Sequence, residues 1–493
     1  MKLAKTADKE NIDKENIGET SSSFYRNIAI LLVLNLLIKP IYILGIDAQV
    51  QNSLGESTYG LFFTFFSFCM LFQIILDPGI LNYNNQLISK DIDNVSDHFG
   101  KIAGSKILLV LAFVSIVSLV GLFFGYTQTE YGVLLGVALI LILNSFLSYL
   151  RSHFSALGKY KYESLLSGLD KTLMIVIIGY FLHIRNEISL QIFIIGQILA
   201  LVISCTVFIL LLRRLFKMRL EFSISETVGL VKKTVPYALV LLLMTLYTRL
   251  DSIMLDQLID DDKYSVGVYA TGYRLLDAAN MIGILFALLM LPMFSKLINQ
   301  REKLLDLAES ITRLLFILCT LISLLCWFYA KDIIDLIYVN TTPMHYEVFK
   351  YLMIGFWAMC MSNIHGCLFL AKGTLKSINL LFVMGILLNI ALNFYWIPQD
   401  LAFGAVKATV ITQFFVFLGQ FLLAHKVFEF RFELIKGVQF TGVLAGIFGI
   451  IWCFDAYISL YWIIEGLLIS FLAVGLSFLC GFLRLPFKLG KTT

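Results

Sequence analysis

The chain has 493 residues, of which 59% are hydrophobic and 15% charged, against about 45–50% and about 25% in soluble domains. The formal net charge of +4 is too small to argue for a nucleic-acid partner. Apolar blocks long enough to cross a ~30 Å hydrocarbon core recur from end to end, and the ~10-residue alternating segments of an outer-membrane barrel are not seen, so a polytopic α-helical membrane protein is expected.

Residues 1–24 mix both charge signs and have no apolar core, which reads as a cytoplasmic tail without a cleavable signal peptide. Fourteen spans follow: 27–46, 59–82, 102–124, 132–150, 165–182, 189–212, 234–257, 265–295, 309–329, 348–371, 377–397, 402–424, 434–454 and 459–483. The last ten residues, 484–493, form a second cytoplasmic tail. Lys and Arg concentrate in the tails and loops on the side that holds both termini. Only Arg185, Lys263, Lys331 and Lys350 occupy the opposite loops. That asymmetry places both termini in the cytoplasm. The loops are too short to hold a soluble domain, which argues against a membrane glycosyltransferase or polymerase. The eight cysteines lie in hydrophobic blocks without CxxC spacing and read as packing residues. No metal-ligand cluster, Ser/His/Asp arrangement or Walker motif is present, so the chain does not hydrolyse ATP itself.

An internal repeat divides the chain. STYGLFFTFF in the second span resembles YSVGVYATGY in the eighth, which pairs Gly60 with Gly267; SALGKYKYES resembles FLAKGTLKS, which pairs Gly158 with Gly373. Six spans separate the copies, so the halves have the same orientation. The expected architecture is an N-terminal lobe at 25–214, a basic cytoplasmic linker at 215–233, a C-terminal lobe at 234–426, and two appended spans within 434–483. Transporters built from such parallel halves put the substrate path at their interface, near the midplane.

Charge inside the spans locates candidate chemistry. The seventh span carries Arg249 and Asp251, and the eighth carries Arg274 and Asp277. At ~1.5 Å per residue, Arg249 lies roughly 22 Å from the cytoplasmic start of its helix and Arg274 roughly 13 Å below the outer start of its own. Lys39 falls near the middle of the first span, before Pro40, which should kink it. An ionisable group in a bilayer costs roughly 2.5–3.5 kcal/mol on insertion scales and normally faces a bundle interior or a wet cavity. Asn35 and Lys39 share a helical face, as do Arg274, Asp277 and Asn280. Lys39, Arg249 and Arg274 would together attract an anion, especially a phosphate or pyrophosphate. The alternative is local: Arg274 and Asp277 could pair with each other, and such pairs often fix helix register without touching substrate. Asn389 and Asn393 on the eleventh span are secondary polar positions, read either as cavity lining or as interhelical hydrogen bonds. Lys106 lies close enough to the cytoplasmic surface to snorkel.

Three segments carry a family resemblance: LGESTYGLFFTFFSFCMLFQIILDPGILNYNNQLIS at 54–89, RLDSIMLDQLIDDDKYSVGVYATGYRLLD at 249–277 and LLNIALNFYWIPQDLAFGAVKAT at 387–409. The chain resembles the polysaccharide-repeat-unit flippases of the Wzx type, within the multidrug/oligosaccharidyl-lipid/polysaccharide exporter superfamily. The third segment is similar to that family's N-x-x-L-N-x-x-x-I-P-x-x-G-x-x-G-A pattern through Asn389, Leu392, Asn393, Ile397, Pro398, Gly404 and Ala405. The first of its two glycines is absent, because Leu401 and Ala402 occupy that region. The resemblance implies an all-α fold of about fourteen helices, two six-helix lobes around a cationic central cavity plus two C-terminal helices, working by alternating access. It also implies movement of undecaprenyl-pyrophosphate-linked oligosaccharide from the inner to the outer leaflet of the bacterial inner membrane, with a polysaccharide polymerase and export machinery as partners. No cofactor is implied. Asp251 or Asp277 could couple the cycle to protons or sodium. A multidrug antiporter and a peptidoglycan-precursor flippase are the competing readings.

Overall fold

Backbone groups in lipid must be satisfied within the chain, which restricts a spanning protein to helices or a closed barrel. The structure, a computed structural model, describes residue 34 and residues 37–91, 93–259, 263–429, 434–457 and 460–483. Among these there is no strand, and twelve helices are long and apolar enough to cross a membrane. The protein is a multi-pass membrane protein. Both expected tails, Asn35 and much of the expected first span lie outside the described residues.

In chain order the helices are α1 (residues 37–54, with a π-helical turn at Ile43–Asp47), α2 (Glu56–Leu76), α3 (Ile80–Lys90), α4 (Val95–Phe123), α5 (Gln128–Ala156), α6 (Tyr160–Leu166) and α7 (Leu169–Tyr180, continued by a π-helical turn at Phe181–Arg185). They continue with α8 (Leu190–Arg213), α9 (Ile224–Leu258), α10 (Lys263–Leu297), α11 (Arg301–Phe328), α12 (Ala330–Ile337), α13 (Pro343–Lys372), α14 (Leu375–Phe428), α15 (Leu434–Tyr457) and α16 (Trp462–Leu479). Two compact units emerge. The first comprises residues 1–50 and 69–238; the second comprises residues 51–68 and 239–493.

In the first unit, α2 stops at Leu76 because Pro78 cannot donate and Gly79 takes φ +95°. Lys106 of α4 caps that break. Its Nζ donates to the Leu76 carbonyl and to Ser145 Oγ, each at 2.9 Å, and the residue is buried. The expected snorkel does not occur, because the open end of α2 offers the buried ammonium a carbonyl within the fold. Gly100 and Gly104 let the 219–221 backbone lie directly on α4, where the Glu221 N–H donates to the Gly100 carbonyl at 3.2 Å.

The second unit is organised by α10, which packs along α13, and by α13, which packs along α14. A straight α14 of 54 residues would extend ~81 Å. Instead it breaks at Leu401 (φ 53°, ψ −129°) and doubles back, so that Gly419 meets the Leu381 side chain and Gly385 meets Val416. One long helix therefore supplies two antiparallel passes. Gly404 sits against the Trp396 carbonyl, where a Cβ would overlap it. α15 and α16 attach through Phe440 and Phe482, both packed on Phe316 of α11, and through Tyr329, whose hydroxyl donates to the buried Glu465 at 2.7 Å.

Candidate functional site

Arg249 and Asp251 are two residues apart on α9, and on a helix that spacing sends them to different faces. Each meets a different set of partners, all within the second unit.

Arg249 faces α10. Its Nη2 donates to both carboxylate oxygens of Asp277 at 3.1 Å, and its guanidinium lies 4.8 Å from the centre of the Tyr273 ring. The Tyr273 hydroxyl donates back to the Thr248 carbonyl of α9. Because Tyr269, Tyr273 and Asp277 recur at four-residue steps, one stripe of α10 serves successive turns of α9. A single nitrogen makes both bonds to Asp277, so the fork of Arg249 is only half used. Its Nη1 is buried without a hydrogen-bond partner.

Arg274 leaves α10 on an adjacent face and meets the start of α2. Its Nε donates to the Tyr59 hydroxyl at 2.9 Å. The guanidinium lies 4.9 Å from the Phe66 ring centre, 5.3 Å from that of Phe63 and 6.0 Å from that of Tyr59. Each such cation–π contact is worth about 0.5–2 kcal/mol. Together with the Tyr59 hydroxyl they hold the guanidinium against a mostly aromatic surface. Phe63 also contacts the Tyr269 and Tyr273 rings, so one aromatic wall backs both arginines.

Asp251 points the other way, into α14, and is wholly buried. It accepts from Asn393 Nδ2 at 2.6 Å, Asn389 Nδ2 at 2.8 Å, Thr409 Oγ1 at 2.6 Å and the Tyr269 hydroxyl at 3.2 Å. The two asparagines come from the arm of α14 before the break and Thr409 from the arm after it. Four neutral donors on one carboxyl leave Asn393 Oδ1 buried without a partner.

The remaining sequence-predicted positions lie elsewhere. Asn280 is buried between α10 and α13, where its Oδ1 accepts from Asn363 Nδ2 at 3.5 Å. Lys39 belongs to the first unit, where Arg151, Lys171 and Asp170 are its charged neighbours. Lys171 in turn sits over the Tyr42 ring at 4.8 Å and pairs with Asp170 at 3.7 Å. Sequence reasoning missed Tyr59, Phe63, Phe66, Tyr269, Tyr273 and Thr409. Their only signal was helical spacing from a known charge on the same helix, which finds Tyr269 and Tyr273 but not a partner 158 positions away. Among the described residues no group of three or more His, Cys, Asp or Glu could hold a metal ion.

A family model described as "Polysaccharide biosynthesis protein" matches residues 24–298. No curated protein matches the chain. Among solved structures, the fold is similar to the lipid II flippase MurJ in an inward closed conformation, at TM-score 0.70 and 15% identity over 94% of this chain and 99% of that one. It is also similar to an inward-facing multidrug resistance MATE family transporter of the MOP superfamily, at TM-score 0.64 and 13% identity over 81% of this chain and 98% of that one. A third likeness is to a MOP superfamily transporter from Pyrococcus furiosus whose binding pocket is described as having reverse polarity, at TM-score 0.60 and 12% identity over 82% and 95%. These neighbours are flippases and transporters, not enzymes, and at such identities the likeness is one of fold.

Proposed function

Since the chain belongs to the polysaccharide biosynthesis protein family, whose model covers more than half of it, we propose that it is a flippase. In this reading it carries oligosaccharide units, linked through pyrophosphate to a polyprenyl carrier, from the inner to the outer leaflet of the bacterial inner membrane, with both termini cytoplasmic. The observation that carries the reading is the pair of arginines on an aromatic wall. Arg249 has a buried, unpartnered Nη1, and Arg274 is held by rings. The unpartnered Nη1 of Arg249 is a guanidinium donor in a low-dielectric setting, where such N–H groups recognise phosphate oxygens well. Lys39, with Arg151 and Lys171 as charged neighbours, is a separate candidate group within the first unit. The sugars would travel in the polar path while the prenyl tail stays in lipid.

Coupling to sodium or protons is assigned to Asp251 rather than Asp277. Asp277 already has a guanidinium partner, whereas Asp251 faces only neutral groups. Its carboxylate, ringed by the neutral side chains of Asn389, Asn393, Thr409 and Tyr269, is an intramembrane acid of the kind that marks an ion pathway. A lipid-precursor cargo of the peptidoglycan type is the second reading. It is supported by the 94% coverage of this chain in the lipid II flippase comparison against 81% in the multidrug one. That difference is what an additional helix pair at one end, such as α15 and α16, would produce.

Reconstituted protein and a fluorescent prenyl-pyrophosphate-linked saccharide test the proposal. Arg249→Glu and Arg274→Glu should each abolish flipping while membrane insertion is unchanged. Flipping at the wild-type rate in both variants would remove the arginines from the mechanism. Transport of organic cations, with no prenyl-pyrophosphate flipping, would replace the proposal by the antiporter reading.

A further inference from the structure

Asp277 stands in an unusual place for a bridge that only fixes helix register. It faces an arginine that still has a buried donor without an acceptor. It is also the more exposed member of the pair, with its side chain 22% accessible against 12% for Arg249. A register-fixing pair gains most from using both prongs of the guanidinium, because parallel bonds add energy and direction. Here Asp277 takes only Nη2, through both of its oxygens.

Resting on the flippase reading, we infer that Asp277 is a built-in stand-in for the cargo's phosphate. It satisfies Arg249 when no headgroup is present and is displaced when one arrives. A group that displaces a carboxylate from an arginine must offer more than one charge and must reach both prongs. A pyrophosphate does so through oxygens on two phosphorus atoms, and a monophosphate does so less well. Asp277 thereby raises the threshold for loading by the same factor for every anion, so that the tighter-binding diphosphate-linked carrier loads at concentrations where the spent monophosphate carrier does not. The same exchange frees α10 from α9 at this level, since Asp277 and Arg249 sit on those two helices.

The test uses the full chain in lipid nanodiscs, with farnesyl pyrophosphate and farnesyl monophosphate as probes and Asp277→Asn as the isosteric variant. Removing the competing carboxylate should tighten pyrophosphate binding by about tenfold. Monophosphate binding should tighten by a similar factor, because the cost of displacing Asp277 is common to every anion that binds Arg249. The apo melting temperature should fall while the ligand-induced rise in melting temperature grows. A purely structural bridge predicts the fall alone, and unchanged or weaker binding in Asp277→Asn overturns the inference. Arg249→Gln separates this from the broader reading. If it weakens pyrophosphate binding while Asp277→Asn fails to tighten it, only the role of Asp277 is lost. If wild type and Arg249→Gln bind the probe alike, or neither binds it, the flippase reading falls and this inference falls with it.

Discussion

Gly60 of α2 and Gly267 of α10 lie backbone against backbone. A Cβ on Gly60 would overlap the Lys263 carbonyl, and one on Gly267 would overlap the Glu56 carbonyl. These are the two positions that the internal repeat pairs with each other. The contact brings Tyr59 within reach of Arg274, so the close approach of the two helices positions the aromatic wall. Neither neighbour is a flexible side chain that can give way. Gly60→Ala and Gly267→Ala should therefore each cost about 1–3 kcal/mol, read as a lower melting temperature in detergent. Gly449→Ala is the control, because nothing lies near its Cβ direction, and in a helix interior that change should stabilise by roughly 0.5–1 kcal/mol.

The Asp251 cage makes a second prediction. Asp251→Ala leaves Asn389, Asn393, Thr409 and Tyr269 as buried donors without their acceptor, and each unsatisfied group costs about 1–3 kcal/mol. A large loss of stability is expected. Asp251→Asn keeps the shape and removes the charge, so it should fold yet lose the dependence of flipping on a sodium or proton gradient. Gradient-dependent transport that survives in Asp251→Asn would show that the ion is taken elsewhere.

The membrane class and the all-helical fold could be read from the sequence because hydropathy is written in one stretch of chain. The count is not the same: fourteen spans are expected, and twelve helices among the described residues are long and apolar enough to cross. Gly158 and Gly373, paired by sequence, both adopt left-handed backbone, at φ 69° and 75°. What could not be read was which faces meet. Arg274 finds Tyr59 215 positions away and Asp251 finds Thr409 158 away, and no periodicity within a helix encodes either distance. Lys106 shows the same limit. Its depth in the span fitted a snorkelling lysine, but the carbonyl it reaches belongs to the broken end of another helix.

That lysine gives a third prediction. Lys106→Met preserves the length and apolar body of the side chain but deletes the donor shared by the Leu76 carbonyl and Ser145. The C-terminal end of α2 then keeps a buried carbonyl with its partner removed and loses a favourable charge at its negative pole. The expected cost is about 1–3 kcal/mol. A surface-seeking lysine would make the same substitution nearly neutral, within about 0.5 kcal/mol.

Leu401 offers a change in the stabilising direction. It holds φ 53° and ψ −129° at the fold-back of α14, a conformation close to the first central position of a type II′ turn, where glycine is the usual residue. The polysaccharide flippase pattern expects a glycine near this point, so the chain bends here without the residue best suited to the bend. A side chain forced into such a region costs of order 1–3 kcal/mol. Leu401→Gly removes that strain at the expense of one half-buried side chain and of extra freedom in the unfolded chain. The balance should be a gain of about 1 kcal/mol, seen as a higher melting temperature with flipping intact. Leu401→Ala separates strain from packing, because it discards most of the side chain but keeps the Cβ that clashes. It should be neutral or destabilising, and a gain equal to that of the glycine variant would place the cost in the leucine side chain rather than in the backbone.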